Sequence, residues 1–539
     1  ETPMPNAFLP IIYVRGFAMT RGEIDETTAD PFCGFNLGST MYRAVPDKAS
    51  RPRKYVFESP VVRLASEYGY EDVYEDGYDI LDADWDGEMS RRPIIIYRYY
   101  DEASRYLGTG ETPSIEEFAK GLSRLVKRVR ELYCANPRNE TKLDDFRCYL
   151  VAHSMGGLVS RAFLQNPKLD PEGVQPCVDK LFTYATPHNG IDVLGMNVPS
   201  WLGLADINNF DRDKRMKSYL DLEAAFKKHK RVDLVPESRF PSRRIFTLVG
   251  TNRNDYEAAA GLSRAFVGHG SDGLVKIDNA TLYGLKDDGS LSTPTAKAFV
   301  YRSHSGPFGI VNSEEAFQNL ARFLFGDVRV DLWLEIDEIR LPEAVQKEAD
   351  AGRGINALYQ IEMLASPRGK LWYLTRRVAE EDSVACLSHA DWVKNPKEAG
   401  RIYLSSVFLA NRAKVNPKRR SLAYGMTLGV RVPDYEIDRK LWLNEHFEGG
   451  YLFRNGLVLE MVPPVSDDKP WKVKFSWQDA GFSLADTELT PTQLATGAVE
   501  VRVPFDSVSA DANGKLQPTR PGVRGTLRFV IEAWNPGAE

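Results

Sequence analysis

Apolar residues in the first 326 positions come in short solid blocks separated by amphipathic stretches. Blocks fall at 9–14, 93–99, 148–152, 181–185, 245–249 and 298–301, and the second holds Ile94, Ile95 and Ile96 in succession. A strand that is apolar on both faces belongs in a sheet covered on both sides, as parallel sheets are. Between blocks the period lengthens. Ile115, Phe118, Leu122, Leu125, Val126, Val129 and Leu132 recur at three- and four-residue spacing, which predicts a helix. Ser114 is placed to cap it, and Glu117 to close a capping box. A later helix is expected from near Asn312, with Phe317, Leu320, Phe323 and Leu324 on one face and Gly326 as its stop. Strands alternating with helices in this way predict an α/β unit with a mostly parallel sheet.

After Gly326 the period shortens. Segments 328–340, 357–364, 371–377, 403–409, 424–432, 451–462, 471–477, 498–503 and 526–533 read as strands. Val328, Leu332, Leu334 and Ile336 alternate with charged positions, and Val499, Val501 and Val503 repeat the pattern. No helix of comparable strength separates these strands, so an all-β sandwich is expected. The expected domains are therefore 1–326 and 327–539. Two long excursions, 20–92 and 190–244, interrupt the α/β part, and excursions of that length usually serve as lids or site walls. The second contains Met196, Val198, Trp201, Leu202 and Leu204, an apolar set suited either to a lid or to packing on the body.

Composition narrows the function classes. Of 539 residues, 43% are hydrophobic and 27% charged, ordinary values for a globular chain. The net charge of −6 argues against a nucleic-acid partner. The runs Arg51, Arg53, Lys54 and Lys227, Lys228, Lys230, Arg231 are short enough to read as solvated surface charge. No apolar run reaches the ~18 residues of a transmembrane helix. The cysteines, Cys33, Cys134, Cys148, Cys177 and Cys386, are odd in number and form no CxxC pair, so no metal site built from them is expected. Their usage favours a reducing, cytoplasmic setting; removal of an upstream signal segment would instead mean secretion. Asn139-Glu140-Thr141 and Asn279-Ala280-Thr281 match the glycosylation pattern, which matters only in the secreted case. No phosphate-cradling loop and no metal triad occurs in a credible context, so neither a cofactor nor a metal is expected. The oligomeric state is left open.

The sharpest chemical signal runs from Tyr149 through Val159: Tyr-Leu-Val-Ala-His-Ser-Met-Gly-Gly-Leu-Val. A strand enters a tight turn and a helix leaves it, which is the nucleophile-elbow pattern G-x-S-x-G with Ala152 in place of the first glycine. The turn lifts the Ser154 hydroxyl above the sheet. Small residues two before and two after, here Ala152 and Gly156, let strand and helix approach. The segment from Ala152 to Gly157 resembles the elbow of lipases and of the lecithin:cholesterol acyltransferase and GPI-inositol-deacylase-like branch of the α/β-hydrolases. The segment Thr183-Tyr184-Ala185-Thr186-Pro187-His188-Asn189-Gly190 is similar to the strand-end TPHxG segment of the same lipases. The resemblance covers about the first 325 residues and implies an α/β-hydrolase fold with serine esterase or lipase activity.

A serine nucleophile needs a base, and the base an orienting carboxylate, in the fold's order Ser, Asp or Glu, His. His304, directly after the last expected strand and before the final helix, is the expected base; its segment also resembles the catalytic-histidine end of bacterial lipases. His188, His229 and His269 are the other histidines after the elbow in this domain. His188 is read as a brace for its own turn and His269 as a rim group. Gly270-Ser271-Asp272-Gly273-Leu274-Val275 looks like the acid-bearing loop of lipases, which implies Asp272 as the acid, with Asp278 its competitor. The oxyanion is expected to be held by the backbone N–H groups of Met155 and Phe17, with Gly16 permitting the turn. Arg15 stands where the family carries histidine. The implied substrate is an acyl ester, with lipid favoured by the resemblance and the apolar set in 190–244. Acyl transfer or phospholipase-type cleavage with the same triad, and an inactive hydrolase-fold binding protein, are the alternatives.

Overall fold

The computed structural model describes residues 8–16, 39–43, 53–57, 60–73, 87–97, 113–190, 211–251, 281–302, 309–381, 383–413, 418, 421–438, 445–462, 472–478, 488–508 and 521–535. The chain divides into two compact units, one of Glu1–Lys297 with Tyr301–Leu324 and one of Ala298–Val300 with Phe325–Glu539.

The α/β part runs, in chain order, β1 (Ile11–Val14), β2 (Ser39–Arg43), β3 (Arg53–Phe57), α1 (Pro60–Tyr68), β4 (Glu71–Asp72), β5 (Pro93–Tyr97), α2 (Ile115–Ala135), β6 (Cys148–His153), α3 (Met155–Gln165), β7 (Val178–Tyr184), α4 (Lys217–Tyr219), α5 (Glu223–His229), β8 (Leu234–Pro236), β9 (Ile245–Gly250), β10 (Tyr283–Leu285), β11 (Leu291–Pro294), β12 (Ala296–Val300) and α6 (Glu314–Phe325). Seven strands form one sheet in the order β12-β9-β7-β6-β1-β5-β4. The pairs β4–β5, β5–β1, β1–β6, β6–β7 and β7–β9 are all parallel. α2 carries the chain from β5 across β1 to β6, and later strands add on the far side. The winding direction therefore reverses beside β6, the kind of position at which open α/β sheets bind their ligands.

All six residues of β6 are buried, as a solidly apolar block requires. Ile12, Val14, Leu150 and Ala152 of the sheet share one hydrophobic core with Leu122 and Val126 of α2 and Leu158 and Val159 of α3. α2 begins on the expected capping box. The Ser114 hydroxyl accepts from Glu117 N at 3.3 Å, and the Glu117 carboxylate accepts from Ser114 N at 2.8 Å. α6 begins at Glu314, close to the start expected near Asn312, and its first turn is capped by the Ser313 hydroxyl, which accepts from Ala316 N at 3.2 Å.

Both excursions contain pieces of this body. In the first, β4 extends the main sheet beside β5 and α1 buries Val61, Arg63 and Leu64. In the second, Met216, Tyr219, Leu220, Leu222, Val232, Leu234, Val235 and Phe240 join the main core. Cys134, Cys148 and Cys177 are free thiols, with Cys148 buried in β6. Asn139 is buried and its amide donates to the carbonyls of Met89 and Tyr133, so that glycosylation sequence lies in a structural corner and presents no acceptor at the surface. Among the described residues, no helix is long and apolar enough to cross a membrane.

The second part contains β13 (Val328–Arg340), α7 (Glu343–Asp350), β14 (Ile355–Pro367), β15 (Thr375–Arg377), β16 (Ala385–Ser388), α8 (His389–Lys394), α9 (Pro396–Ala399), β17 (Arg401–Leu409), β18 (Leu422–Ile437), β19 (Glu445–Val462), β20 (Lys472–Trp477), β21 (Glu488–Leu489), β22 (Thr492–Gln493), β23 (Val499–Asp506) and β24 (Gly522–Ala533). One antiparallel sheet is ordered β17-β13-β24-β23-β22; the other runs β15-β14-β18-β19-β20-β21, with β16 also on β14. Leu332, Leu334, Val501, Val503, Leu527 and Phe529 from the first share a core with Tyr359, Ile361, Met363, Leu428 and Val430 from the second, which makes the β-sandwich. The strand expected over 371–377 shrinks to three residues, because Gly369 takes a left-handed φ of 86° and turns the chain after β14.

Replacing Ser114 by alanine leaves the Glu117 amide without its cap. It is expected to destabilise the α/β part by about 1 kcal/mol, read as a lower midpoint in urea titrations followed by far-UV circular dichroism.

Candidate active site

β6 ends at His153 and α3 starts at Met155, so the whole change of direction falls on Ser154. Its backbone sits at φ 53°, ψ −127°, a region that costs a non-glycine residue on the order of 1–3 kcal/mol and persists only where its surroundings over-determine it. They do so here. Ser154 N donates to Tyr184 O at 2.9 Å, tying the turn to the end of β7. Ser154 O accepts from Gly157 N at 3.0 Å and from the Thr186 hydroxyl at 2.8 Å.

Three glycines make the turn sterically feasible. A Cβ on Gly156 would lie 2.1 Å from Val14 O, because α3 starts against the end of β1. One on Gly157 would lie 2.2 Å from the Thr186 hydroxyl. One on Gly16 would lie 2.3 Å from the Ser154 Cβ and 3.1 Å from its Oγ. The loop leaving β1 thus presses directly on the serine side chain, which remains partly exposed. Met155 is the first residue of α3, so its N–H belongs to the helix terminus where unpaired donors and the positive end of the dipole concentrate.

Beneath the turn lies a polar cassette. Arg161, two turns along α3, is 1% exposed. Its guanidinium donates to the carbonyls of His188 at 3.0 Å, Val232 at 2.8 Å and Leu234 at 2.9 Å, and to the Gln165 side chain at 2.9 Å. All four acceptors are neutral, and burial lowers its pKa to about 10 against the opposing pull of the Asp233 charge. Asp233 itself is buried and held by two hydrogen bonds from Arg231. Gln165 also donates to Leu220 O and Leu234 O, and Asn166 to Tyr219 O. The Asn189 side chain accepts from Val232 N at 3.1 Å. The elbow helix is therefore bonded to the stretch that enters 191–210 and to the one that follows it.

His188 is fully buried and bonded through Nε2 to the Thr183 hydroxyl at 3.1 Å, in keeping with its expected role as a brace. Desolvation, reinforced by the Arg161 charge, holds its pKa well below 6.5, so it is neutral. His229 is bonded through Nε2 to Gly289 O at 2.9 Å.

Of the expected site residues, Ser154, Met155, Gly16 and Gly156 come together at the elbow as described. Asp272, its competitor Asp278, His269, His304, Phe17, and Met196, Val198, Trp201, Leu202 and Leu204 lie outside the described residues. The flanks of the segments that hold Asp272 and His304 are among the described residues. Gly250, the last residue of β9, has Arg302 O 2.7 Å from where a Cβ would stand, so the backbones of these two residues are in close contact. Arg302 is anchored to Glu315 of α6 by hydrogen bonds of 3.0–3.2 Å. Gly157, Thr186 and Arg161 were not singled out in the sequence, although the first two stand inside the two quoted segments.

Residues 106–197 match the family model of the PGAP1-like alpha/beta domain, a stretch that includes the elbow and the 183–190 segment. No curated protein matches the chain. Among solved structures, the chain is similar to the mature lipase BlEst2 of Bacillus licheniformis at 15% identity, over 60% of this chain and 94% of that one, with a TM-score of 0.28. It is similar to the phospholipase PlaB of Legionella pneumophila at 11% identity, over 82% and 90%, with a TM-score of 0.31. A gene product of Listeria innocua follows at 12%, over 59% and 93%, with a TM-score of 0.26. The parallel sheet and the strained serine turn give the α/β part an α/β-hydrolase fold, and its residues 106–197, which span that turn, are similar to the PGAP1-like alpha/beta domain.

Proposed function

We propose that the chain is a serine hydrolase of carboxylic esters, working through an acyl-enzyme on Ser154. The observation that carries this reading is the Ser154 backbone, held at φ 53° between a buried strand and a helix. Strain of that kind in a residue with a nucleophilic side chain is kept where the geometry serves chemistry.

In this reading the Ser154 Oγ attacks the ester carbonyl while His304 accepts its proton. Asp272 orients the imidazole and stabilises its charged form. The amides of Met155 and Phe17 receive the oxyanion, and collapse of the tetrahedral intermediate expels the alcohol, protonated by His304. Water then attacks the acyl-enzyme by the reverse roles. Met196, Val198, Trp201, Leu202 and Leu204 are the apolar residues assigned to the acyl chain, and the division near 326 separates this catalytic part from the sandwich. No cofactor enters any step.

A fluorophosphonate probe is expected to label the wild-type protein and not Ser154→Ala; a wild type that resists labelling, or a variant that still labels, removes the proposal. The pH dependence separates the two histidines. His188 is neutral when folded, so below pH 6.5 an unfolded chain binds a proton that the folded one does not, and stability falls with pH by up to about 1.4 kcal/mol per unit. In His188→Gln, denaturant titrations from pH 7.5 to 5 are expected to show that part of the slope gone. The acid limb of the kcat/KM profile, assigned to His304, is expected to stay where it is.

A further inference from the structure

We infer that Thr186 is a positioning residue for the reaction: its hydroxyl fixes and polarises the Ser154–Met155 peptide so that the Met155 N–H is aimed at the oxyanion. This rests on the assignment of Ser154 as nucleophile and Met155 N–H as an oxyanion donor.

The carbonyl of Ser154 and the N–H of Met155 belong to one planar peptide unit and point in opposite directions. Whatever orients the carbonyl orients the donor. That carbonyl receives two hydrogen bonds, one from Gly157 N within the first turn of α3 at 3.0 Å and one from Thr186 Oγ1 at 2.8 Å. The first moves with the helix. The second comes from a different element, the segment after β7, and ties the peptide to the body of the sheet. A hydrogen bond accepted at C=O also polarises the amide and strengthens its N–H as a donor.

Thr186 is held for this task from every side. It is 2% exposed. Its Oγ1, Cγ2 and Cβ lie 2.2, 2.7 and 2.9 Å from where a Cβ on Gly157 would stand, so the absent side chain at 157 is what admits it. Ala185 before it takes a left-handed φ of 47° and donates through its N–H to Leu248 O at 2.8 Å. His188 N donates to Thr186 O at 2.9 Å, and His188 O in turn accepts from Arg161. The buried guanidinium on the elbow helix thus clamps the segment that carries the threonine back onto the same helix. A strained alanine, a side-chain-free position in α3 and a buried cation all converge on one hydroxyl.

An oxyanion donor acts in the transition state and not on the bound ester, so misaiming it lowers kcat and leaves KM in place. Losing such a donor altogether costs 10²–10³ in kcat; misaiming one is expected to cost about tenfold. The comparison is between Thr186→Ser and Thr186→Ala, which both lack the methyl group and differ only in the hydroxyl. Hydrolysis of p-nitrophenyl butyrate is measured per active site counted by fluorophosphonate titration, so misfolded protein drops out of the rate. The expected result is a kcat near wild type for Thr186→Ser and about tenfold lower for Thr186→Ala at similar KM. Thr186→Val, which keeps the branched shape without the hydroxyl, follows Thr186→Ala and serves in its place should the alanine variant not fold. Equal kcat in Thr186→Ala and wild type, or an equal fall in the serine and alanine variants, overturns the inference. A wild type with no titratable site overturns the proposed function instead, so the two failures are distinct.

Discussion

One residue carries the whole change of direction between a fully buried strand and the helix that leaves it. Because β6 has no exposed face and α3 returns across the sheet at once, the chain turns within Ser154, in a backbone region that side chains ordinarily avoid. The surrounding contacts are consequences of that compression. Gly156 is small because the helix start lies against Val14 O, and Gly16 is small because the loop after β1 lies against the serine itself. The same compression puts Ser154 Oγ at the head of a helix, where backbone donors are unpaired and a developing negative charge is favoured.

The cassette under the turn makes the compression hold. A guanidinium buried among neutral acceptors is an expensive element, and a well-packed apolar side chain often serves stability equally well. What an apolar residue cannot do is bond three carbonyls at once. Arg161 joins the elbow helix to the 183–190 segment and to the 232–234 stretch, and those two are themselves joined through Asn189. Its charge has a second effect, in that it helps keep the buried His188 neutral. The brace beneath Ser154 therefore carries its charge on Arg161 and holds His188 neutral.

The parts of this arrangement that were legible in the sequence are those written in local rules. Solid apolar blocks gave the buried parallel strands, Ser114 and Glu117 gave the start of α2, and Ala152, Ser154 and Gly156 gave the elbow. Alternation after Gly326 gave the sandwich. What the sequence did not yield depends on contacts between distant segments. Thr186 matters because it meets Ser154 O thirty-two positions earlier, and Gly157 because it meets Thr186. Arg161 carries no local signal, because α3 is buried on all sides and its arginine is turned to carbonyls more than twenty-five positions away. β16 and the short helices after it went unforeseen because four to six residues are too few to establish a period. For the 190–244 excursion a lid and packing on the body stayed open alternatives, because the residues that join its second half to the core, Met216 through Phe240, are spaced by no single period.

The central claim is that this turn presents a reactive hydroxyl, and the acyl-enzyme is its direct signature. The decisive measurement is peptide mapping by mass spectrometry after rapid acid quench of the protein during turnover of p-nitrophenyl acetate. The account requires one acetyl group per chain, carried on the peptide that spans 148–161 and located at Ser154, appearing with a burst of p-nitrophenol. An acetyl group found on any other residue, or ester turnover with no covalent adduct under the same quench, would contradict it.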